Sequence, residues 1–255
     1  MTDNTPYKIS VVINTYNAEQ YLEKVLQAVK DFDQILICDM ESTDSTLAIA
    51  QKYGCDTVTF PRKKYNIVEH ARNFALYNAR YKYVLVVDAD EIVTKELKDY
   101  LYRIVKTDCP DGLFIRRKNK FMGKYIEESV DDWQLRFFNK EKTFWPEVIH
   151  SIPQVKGRTE KIPLTVDNAI FLHLAEEYLH DRLEKLNRYT DNEVEKKQDR
   201  NFGAWALFYR PFWYFFRSYI LQKGFMHGIR GFIKAHMEAQ YQYFTVAKIL
   251  EKKLK

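Results

Sequence analysis

The sequence predicts an α/β protein, a mostly parallel sheet with helices on both faces, followed by a helical C-terminal extension. Three observations carry that expectation. Short, wholly apolar, β-branched runs alternate with stretches of helical periodicity. The strand–helix unit recurs about every 25–30 residues, the spacing of parallel strands joined by crossover helices. The apolar runs also stop on polar clusters, as strands do where such a sheet offers its carboxyl ends to a ligand.

Lys8–Ile13 is the first predicted strand and ends at Asn14, Thr15, Tyr16 and Asn17. Leu22, Val25, Leu26 and Val29 then recur at helical spacing. The run Ile35–Cys38 stops at Asp39, and Ser42, Thr43, Asp44 and Ser45 offer N-caps to a helix carrying Leu47, Ile49 and Ala50. Cys55–Phe60 reads as a third strand and His70–Arg80 as a helix. Tyr83–Val87 is a fourth strand, apolar throughout, halted by Asp88, Ala89, Asp90 and Glu91. A helix is expected over Lys95–Val105. From Leu113 to Val166 the character changes. The strand-like pieces Leu113–Arg116, Gln134–Phe138 and Val148–Ile152, with Ile170–His173 beyond them, alternate with turns and suggest a mixed or antiparallel extension of the sheet. Helical composition dominates from Glu176 through Lys197. The chain therefore divides into segments 1–110, 111–175 and 176–255.

Composition narrows the classes. The 255 residues are 46% hydrophobic and 29% charged with only 8 Gly and 7 Pro, which excludes collagen-like, low-complexity and broadly disordered chains. Cys38, Cys55 and Cys109 show no C-x-x-C spacing, so they suit a reducing compartment better than a disulfide or zinc framework. Residues 1–10 lack the pattern of a signal peptide, and no uncharged apolar run reaches the roughly 18 residues of a membrane span. The expected location is the cytoplasm, including the inner face of the cytoplasmic membrane.

Charge is uneven. Residues 200–255 carry ten Lys/Arg against two Asp/Glu, leaving the rest of the chain mildly acidic within a net +5. The same segment holds Phe202, Trp205, Phe208, Tyr209, Phe212, Trp213, Tyr214, Phe215, Phe216 and Tyr219, interrupted by Arg210, Pro211, Arg217 and Lys223. Two uses stay open for it. It suits a membrane surface, with aromatics in the interface and cations against anionic head groups. It equally suits a helical lid or dimer contact. No nucleic acid partner is expected, because no RRM, KH or OB signature accompanies the basic aromatic pattern.

The strongest chemical signal is Asp88-x-Asp90 at the end of a buried strand. On an extended backbone the two carboxylates would face opposite ways, but past a strand end both can approach one ligand. Hard oxygen ligands suit Mg²⁺ or Mn²⁺, ions that commonly also hold substrate phosphates. The competing use is as caps for the following helix, with Asp90 or Thr94 in that position. Asp39 could accept from a nucleobase imide N–H or simply close an Asx turn. Arg72 could serve a diphosphate or be a solvated helix residue. His150 and His173, each at the end of a strand-like piece, compete as a further metal ligand beside Asp90.

Four blocks in order across residues 9–91, I-S-V-V-I-N-T-Y-N, I-C-D-M-E-S-T-D-S-T, A-R-N and V-V-D-A-D-E, resemble glycosyltransferase family 2. The later pieces F-M-G-K-Y, D-D-W-Q-L-R-F-F, W-P-E-V-I-H, F-L-H-L, L-E-K-L-N-R-Y-T and S-Y-I-L-Q-K-G-F are similar to a subgroup that glucosylates the inner core of bacterial lipopolysaccharide. The resemblance implies a GT-A fold, with residues 1–110 as the nucleotide-sugar-binding half and 111–175 as the acceptor side. It implies that Thr15 and Tyr16 border the base, Asp39 pairs with a uracil imide, and Arg72 sits near ribose and phosphates. Asp88 and the adjacent Ala89 would contact the donor, and Asp90 of this DXD motif would hold the metal. It places a catalytic base at Asp132, with Asp131 beside it. Two departures stand out. The family's usual Asp-Asp-Gly is Asp39-Met40-Glu41 here, and its usual His-Glu is His150-Ser151.

The function implied is inverting, metal-dependent transfer of a sugar onto a lipid-anchored glycan of the cell envelope, with UDP-glucose the favoured donor. The competing expectations are another nucleotide-sugar donor with a polysaccharide acceptor, and a non-catalytic nucleotide-sugar or glycan-binding module. The intact Asp39, Asp88 and Asp90 speak against the module.

Overall fold

The computed structural model describes residues 7–62, 68–125, 132–146, 152–177, 179–197, 200 and 202–254. They fall into two compact units, one of residues 7–119 and 132–175, the other of 120–125 and the described part of 176–254.

The chain begins with β1 (Ile9–Thr15), α1 (Glu19–Val29), β2 (Gln34–Asp39), α2 (Thr46–Lys52) and β3 (Asp56–Thr59). It continues through α3 (Val68–Asn78), β4 (Tyr83–Asp88), β5 (Glu91–Val93) and α4 (Lys95–Lys106). Then follow β6 (Gly112–Phe121), β7 (Lys124–Tyr125), β8 (Asp132–Asn139), β9 (Thr143–Phe144), β10 (Gln154–Val155), β11 (Thr159–Lys161) and β12 (Ile170–Glu177). The main sheet has the order β3-β2-β1-β4-β8-β6-β12-β5. β1 to β4 are parallel where they pair, whereas β8 runs antiparallel to β4, β6 to β8 and β12 to β5. The parallel first half and the mixed second half both match the sequence pattern.

Two-sided burial explains why the first strands read as continuous apolar runs. Alternate residues of a strand face opposite ways. Val11 and Ile13 of β1 and Leu85 and Val87 of β4 pack on one side with Leu22, Val25, Leu26 and Val29 of α1 and Leu97 and Leu101 of α4. Val12, Val84 and Val86, with Leu36 and Cys38 of β2, pack on the other with Ala71, Ala75 and Leu76 of α3. Both faces are thus covered, as a parallel sheet requires.

Helix starts follow local chemistry. Ahead of α2 the capping is done by Asp44, whose Oδ1 accepts from the Thr46 N–H at 3.0 Å and the Thr46 hydroxyl at 2.5 Å, while Ser45 makes no side-chain cap. Thr94 caps α4, its hydroxyl accepting from the Leu97 N–H at 3.3 Å. Of the expected strand Val148–Ile152, all but Ile152 lies outside the described residues.

The second unit holds α5 (Leu179–Lys197), α6 (Ala206–Phe216) and α7 (Gly228–Leu254). Beyond α6 the chain passes through a π-helical turn, Arg217–Leu221, and a 3₁₀ turn, Gly224–His227. Gly231, Ala235 and Ala239, one turn apart on the buried side of α7, keep that face narrow for close packing. The Lys248 Nζ ties α7 to α5 by donating to the Asn187 side chain, the Thr190 hydroxyl and Asp191, each within 2.8 Å. Among the described residues no helix is long and apolar enough to cross a membrane.

Candidate active site

β1, β2 and β4 end level with one another. In the parallel register Thr15 stands beside Asp39, and Asn14 beside Asp88. The polar residues that stop the three apolar runs therefore meet along one edge of the sheet, where an open α/β sheet binds its ligand.

Asp39 is 1% exposed. Its Oδ1 accepts from the Thr15 hydroxyl at 2.9 Å and the Ser42 hydroxyl at 2.6 Å, and its Oδ2 from the Ser42 N–H at 2.9 Å. The turn-closing reading of this residue is observed. It closes the turn after β2, and Oδ2 carries a single donor. Glu41, which stands where the family's usual motif has glycine, adopts φ 63°, a left-handed conformation costing a non-glycine residue about 1–2 kcal/mol. Neighbouring contacts brace the strain. Glu41 Oε2 accepts from the Arg62 N–H at 3.2 Å, and Asn17 Oδ1 accepts from the Thr43 N–H at 2.8 Å. Tyr16 lies at the surface, 42% exposed, with the Arg62 guanidinium 3.7 Å from its ring centre. Substituting Asp39→Ala strips three donors of their acceptor and should lower unfolding free energy by about 1–3 kcal/mol. Urea denaturation reads this directly, and an unchanged midpoint would show that the two loops do not depend on Asp39.

Asp88 is held by cations. Arg136 donates through Nη1 to Oδ1 at 3.1 Å and through Nη2 to Oδ2 at 2.5 Å, a bidentate pair. Arg72, on α3, brings its Nη2 to 3.9 Å from Oδ1 and lays its guanidinium 5.3 Å from the centre of the Trp145 ring. Burial disfavours the Asp88 charge, but Arg136 and Arg72 outweigh it and hold the carboxyl below its usual range. Ala89 packs against the apolar core at the turn after β4. The capping use considered for Asp88 and Asp90 falls instead to Thr94.

Asp90 meets His173 of β12, Nε2 to Oδ2 at 3.1 Å. The hydrogen bond to Asp90 raises the His173 pKa against the opposing effect of burial. The pairing of β12 with β5 sets His173 opposite Glu91 and so brings its ring to Asp90. An oxygen and a nitrogen donor separated by about 3 Å match two adjacent ligands of a small divalent ion bound near 2.1 Å. The chemistry and spacing of the pair fit such an ion. Among the described residues no group of three or more His, Cys, Asp and Glu converges on one point. His150, the other histidine considered, lies outside the described residues, as does Asp131.

Asp132 opens β8. Its Oδ2 accepts from Arg117 Nε at 2.8 Å and Asn119 at 3.2 Å, its Oδ1 from Gln134 at 2.5 Å. Burial opposes the charge, yet Arg117 and these hydrogen bonds together hold the carboxyl below its usual range. Arg117 also donates to Glu91 Oε1 at 3.1 Å, and Glu91 Oε2 accepts from the Asp88 N–H at 3.2 Å. Glu91 is fully buried, and burial together with the Asp88 charge pushes its pKa up. One network thus runs from Asp132 through Arg117 and Glu91 to Asp88 and Arg136.

Arg117, Glu91 and Arg136 were missed as site residues by the sequence reading. A signal was present. Asp132, Gln134 and Arg136 occupy alternate positions of an otherwise apolar stretch, a sequence pattern that hints at polar roles, although the register shift opposite Leu113 and Phe114 breaks the simple alternation at Arg136.

Carboxylates at strand ends, with arginines among them, suit a transferase that binds an activated, anionic donor. The family model for Glycosyl transferase family 2 matches residues 10–160, and the chain belongs to that family. It is accordingly a glycosyltransferase. Over nearly its whole length it is 27% identical to the lipopolysaccharide core biosynthesis glycosyltransferase LpsC of Rhizobium meliloti, covering 96% of this chain and 92% of that one. Its fold is similar to that of Staphylococcus aureus TarS 1–349 in complex with UDP-GlcNAc, at TM-score 0.52 and 20% identity, covering 89% of this chain and 79% of that one. It is also similar to the Pyrobaculum calidifontis mannosyltransferase PcManGT in complex with GDP-Man and Mn²⁺, at TM-score 0.57 and 12% identity, covering 96% and 88%. These likenesses establish the GT-A-like architecture.

Proposed function

We propose that the protein is an inverting, metal-dependent hexosyltransferase that moves glucose from UDP-glucose to a sugar of a lipid-anchored glycan such as lipopolysaccharide core. Its place of work is then the inner face of the cytoplasmic membrane. The observation carrying this reading is that Asp39 and Asp88 end the two strands flanking β1, with the Asp90–His173 pair just beyond β4 and Asp132 linked to Asp88 through Arg117 and Glu91. The whole-length likeness to LpsC supports the acceptor class, and the TarS complex with UDP-GlcNAc supports a uridine donor.

In this reading Asp39 Oδ2 accepts from the base imide, Tyr16 borders the base, and Arg72 faces the diphosphate. Asp90 and His173 would hold Mn²⁺ or Mg²⁺, which when bound offsets negative charge on the departing diphosphate. Asp132 takes the proton from the attacking acceptor hydroxyl. Oδ1 is the atom for that task, because it carries only Gln134, whereas Oδ2 is occupied by Arg117 and Asn119. An acceptor hydroxyl taking the place of Gln134 would reach it without disturbing the Arg117 pair.

A second donor reading has a specific support, the GDP-Man held by the similarly folded mannosyltransferase. A melting-temperature panel of UDP, GDP, CMP and dTDP, each with and without Mn²⁺, separates the two. A ligand at 100 times its Kd adds about 2.7 kcal/mol to stability. The expected result is a Mn²⁺-dependent shift with UDP. A shift with GDP alone would discard UDP-glucose, and no shift with any nucleotide would overturn the donor site.

A further inference from the structure

α6 of the second unit is apolar nearly all round, and one of its aromatic stripes lies outside. Trp205, at the start of α6, and Phe208, Tyr209, Phe212, Trp213 and Phe216 fall at spacings of three and four, which is one stripe of a helix. That stripe faces solvent. Trp205 is 74% exposed, Phe208 67% and Phe212 71%. The surface continues through Ile220, Leu221, Phe225, Met226 and Ile229, all exposed. With roughly 150–250 Å² on a complete aromatic side chain, the α6 stripe alone presents on the order of 700 Å², beyond the few hundred usual for a soluble monomer's largest apolar patch.

The outward stripe is held in place from behind. Arg210 donates through Nη2 to the Gln242 side chain at 2.7 Å, and Phe215 packs edge-on against Phe232 at 5.5 Å. At the tip, a Cβ on Gly231 would stand 1.8 Å from the Gly224 carbonyl oxygen. Only glycine permits that approach of α7 to the preceding turn. The hairpin is therefore tightly packed, while among the described residues nothing covers its aromatic side.

Charge selects the occupant. Residues 202–237 contain Arg210, Arg217, Lys223, Arg230 and Lys234 and no Asp or Glu. A two-fold contact with a second copy would press this basic patch against itself. An anionic bilayer surface complements it, since Trp and Tyr favour the head-group boundary and each nearby Lys or Arg is drawn to acidic lipid. We propose that the α6 stripe and the turn to Ile229 form a docking face for an anionic lipid bilayer, in which the aromatics insert and Arg217, Lys223 and Arg230 meet the head groups. The purpose of such docking rests on the lipid-anchored acceptor proposed above.

The test is flotation of the full-length protein with vesicles of neutral phosphatidylcholine, or of the same lipid with about 30% phosphatidylglycerol. Two variants accompany it, Trp205→Ser/Phe208→Ser/Phe212→Ser on the exposed stripe and Arg217→Glu/Lys223→Glu in the turn beyond α6, where Lys223 is exposed and Arg217 half-buried. Binding to anionic vesicles is expected to exceed binding to neutral ones by about tenfold or more, to fall with salt, and to drop at least as far in each variant. The UDP melting shift, read on the same samples, should stay unchanged. A lost UDP shift with vesicle binding intact would strike the donor reading and leave the docking face standing. Equal binding to both vesicle types, or variants that bind as well as the parent, would overturn the docking face. So would a soluble dimer, seen by light scattering, that the aromatic variant dissolves.

Discussion

Asp132→Asn is expected to lower kcat by about 10²- to 10⁴-fold, the usual contribution of a positioned general base, while the apparent affinity for the nucleotide changes little. The substitution keeps the shape of the side chain and removes the acceptor for the proton. It also turns an NH₂ group toward Arg117, Asn119 or Gln134, all of which donate to Asp132 in this structure. A modest loss of stability should therefore accompany the loss of turnover, and melting curves taken beside the kinetics will keep the two apart. Loss of nucleotide binding with the fold intact would remove Asp132 from the acceptor side and end its assignment as the base.

The pH dependence follows from the same contacts. Arg117 and the hydrogen bonds hold the Asp132 carboxyl below its ordinary value of about 3.9, despite burial. A base is active when deprotonated, so activity should persist as pH falls toward 4 and fail only beneath it, as far as Asp132 sets the limit. Removing the cation in Arg117→Met should move that acid limb upward, because burial then acts with less opposition. The stability contribution has the same sign. A depressed carboxyl stabilises the fold above its unfolded pKa, and that stabilisation is lost as pH falls through the lower folded value.

Much of this fold is legible in the sequence because burial on both faces leaves an unmistakable trace. Val84, Val86, Leu85 and Val87 must all be apolar when helices cover the sheet on either side. The strand ends are legible for the complementary reason. Thr15, Asp39 and Asp88 interrupt apolar runs at the point where the chain leaves the sheet, and parallel register then lines them up. What the sequence hides is cross-strand pairing. Nothing in the order of residues says that β12 will lie against β5 and bring His173 to Asp90, or that β6 will set Arg117 opposite Asp132. These contacts come from pairing between antiparallel strands, and register there depends on the whole packed sheet. The tail was half legible. Its aromatic density and charge read plainly, but only the fold shows that the spacing of Trp205, Phe208, Phe212 and Phe216 faces outward.

Asp90→Ala should reduce turnover about a thousandfold, corresponding to roughly 4 kcal/mol of transition-state stabilisation, within the several kcal/mol attributed to a bound divalent ion. The Asp90 side chain is partly exposed and hydrogen-bonds to His173, whereas its backbone carbonyl, which accepts from the Leu174 N–H at 2.7 Å, is untouched by the substitution. The fold should therefore survive, and the loss should fall on chemistry and on the Mn²⁺-dependent part of UDP binding. His173→Ala serves as the companion. If both side chains hold the ion, each variant should raise the Mn²⁺ concentration needed for half-maximal UDP stabilisation, and the double variant should lose the Mn²⁺ effect altogether. If His173 merely orients Asp90 by its hydrogen bond, His173→Gln should restore most of what His173→Ala loses. Full activity in Asp90→Ala would put the ion elsewhere. The segment 147–151, which contains His150, would then be the first place to search for its ligands.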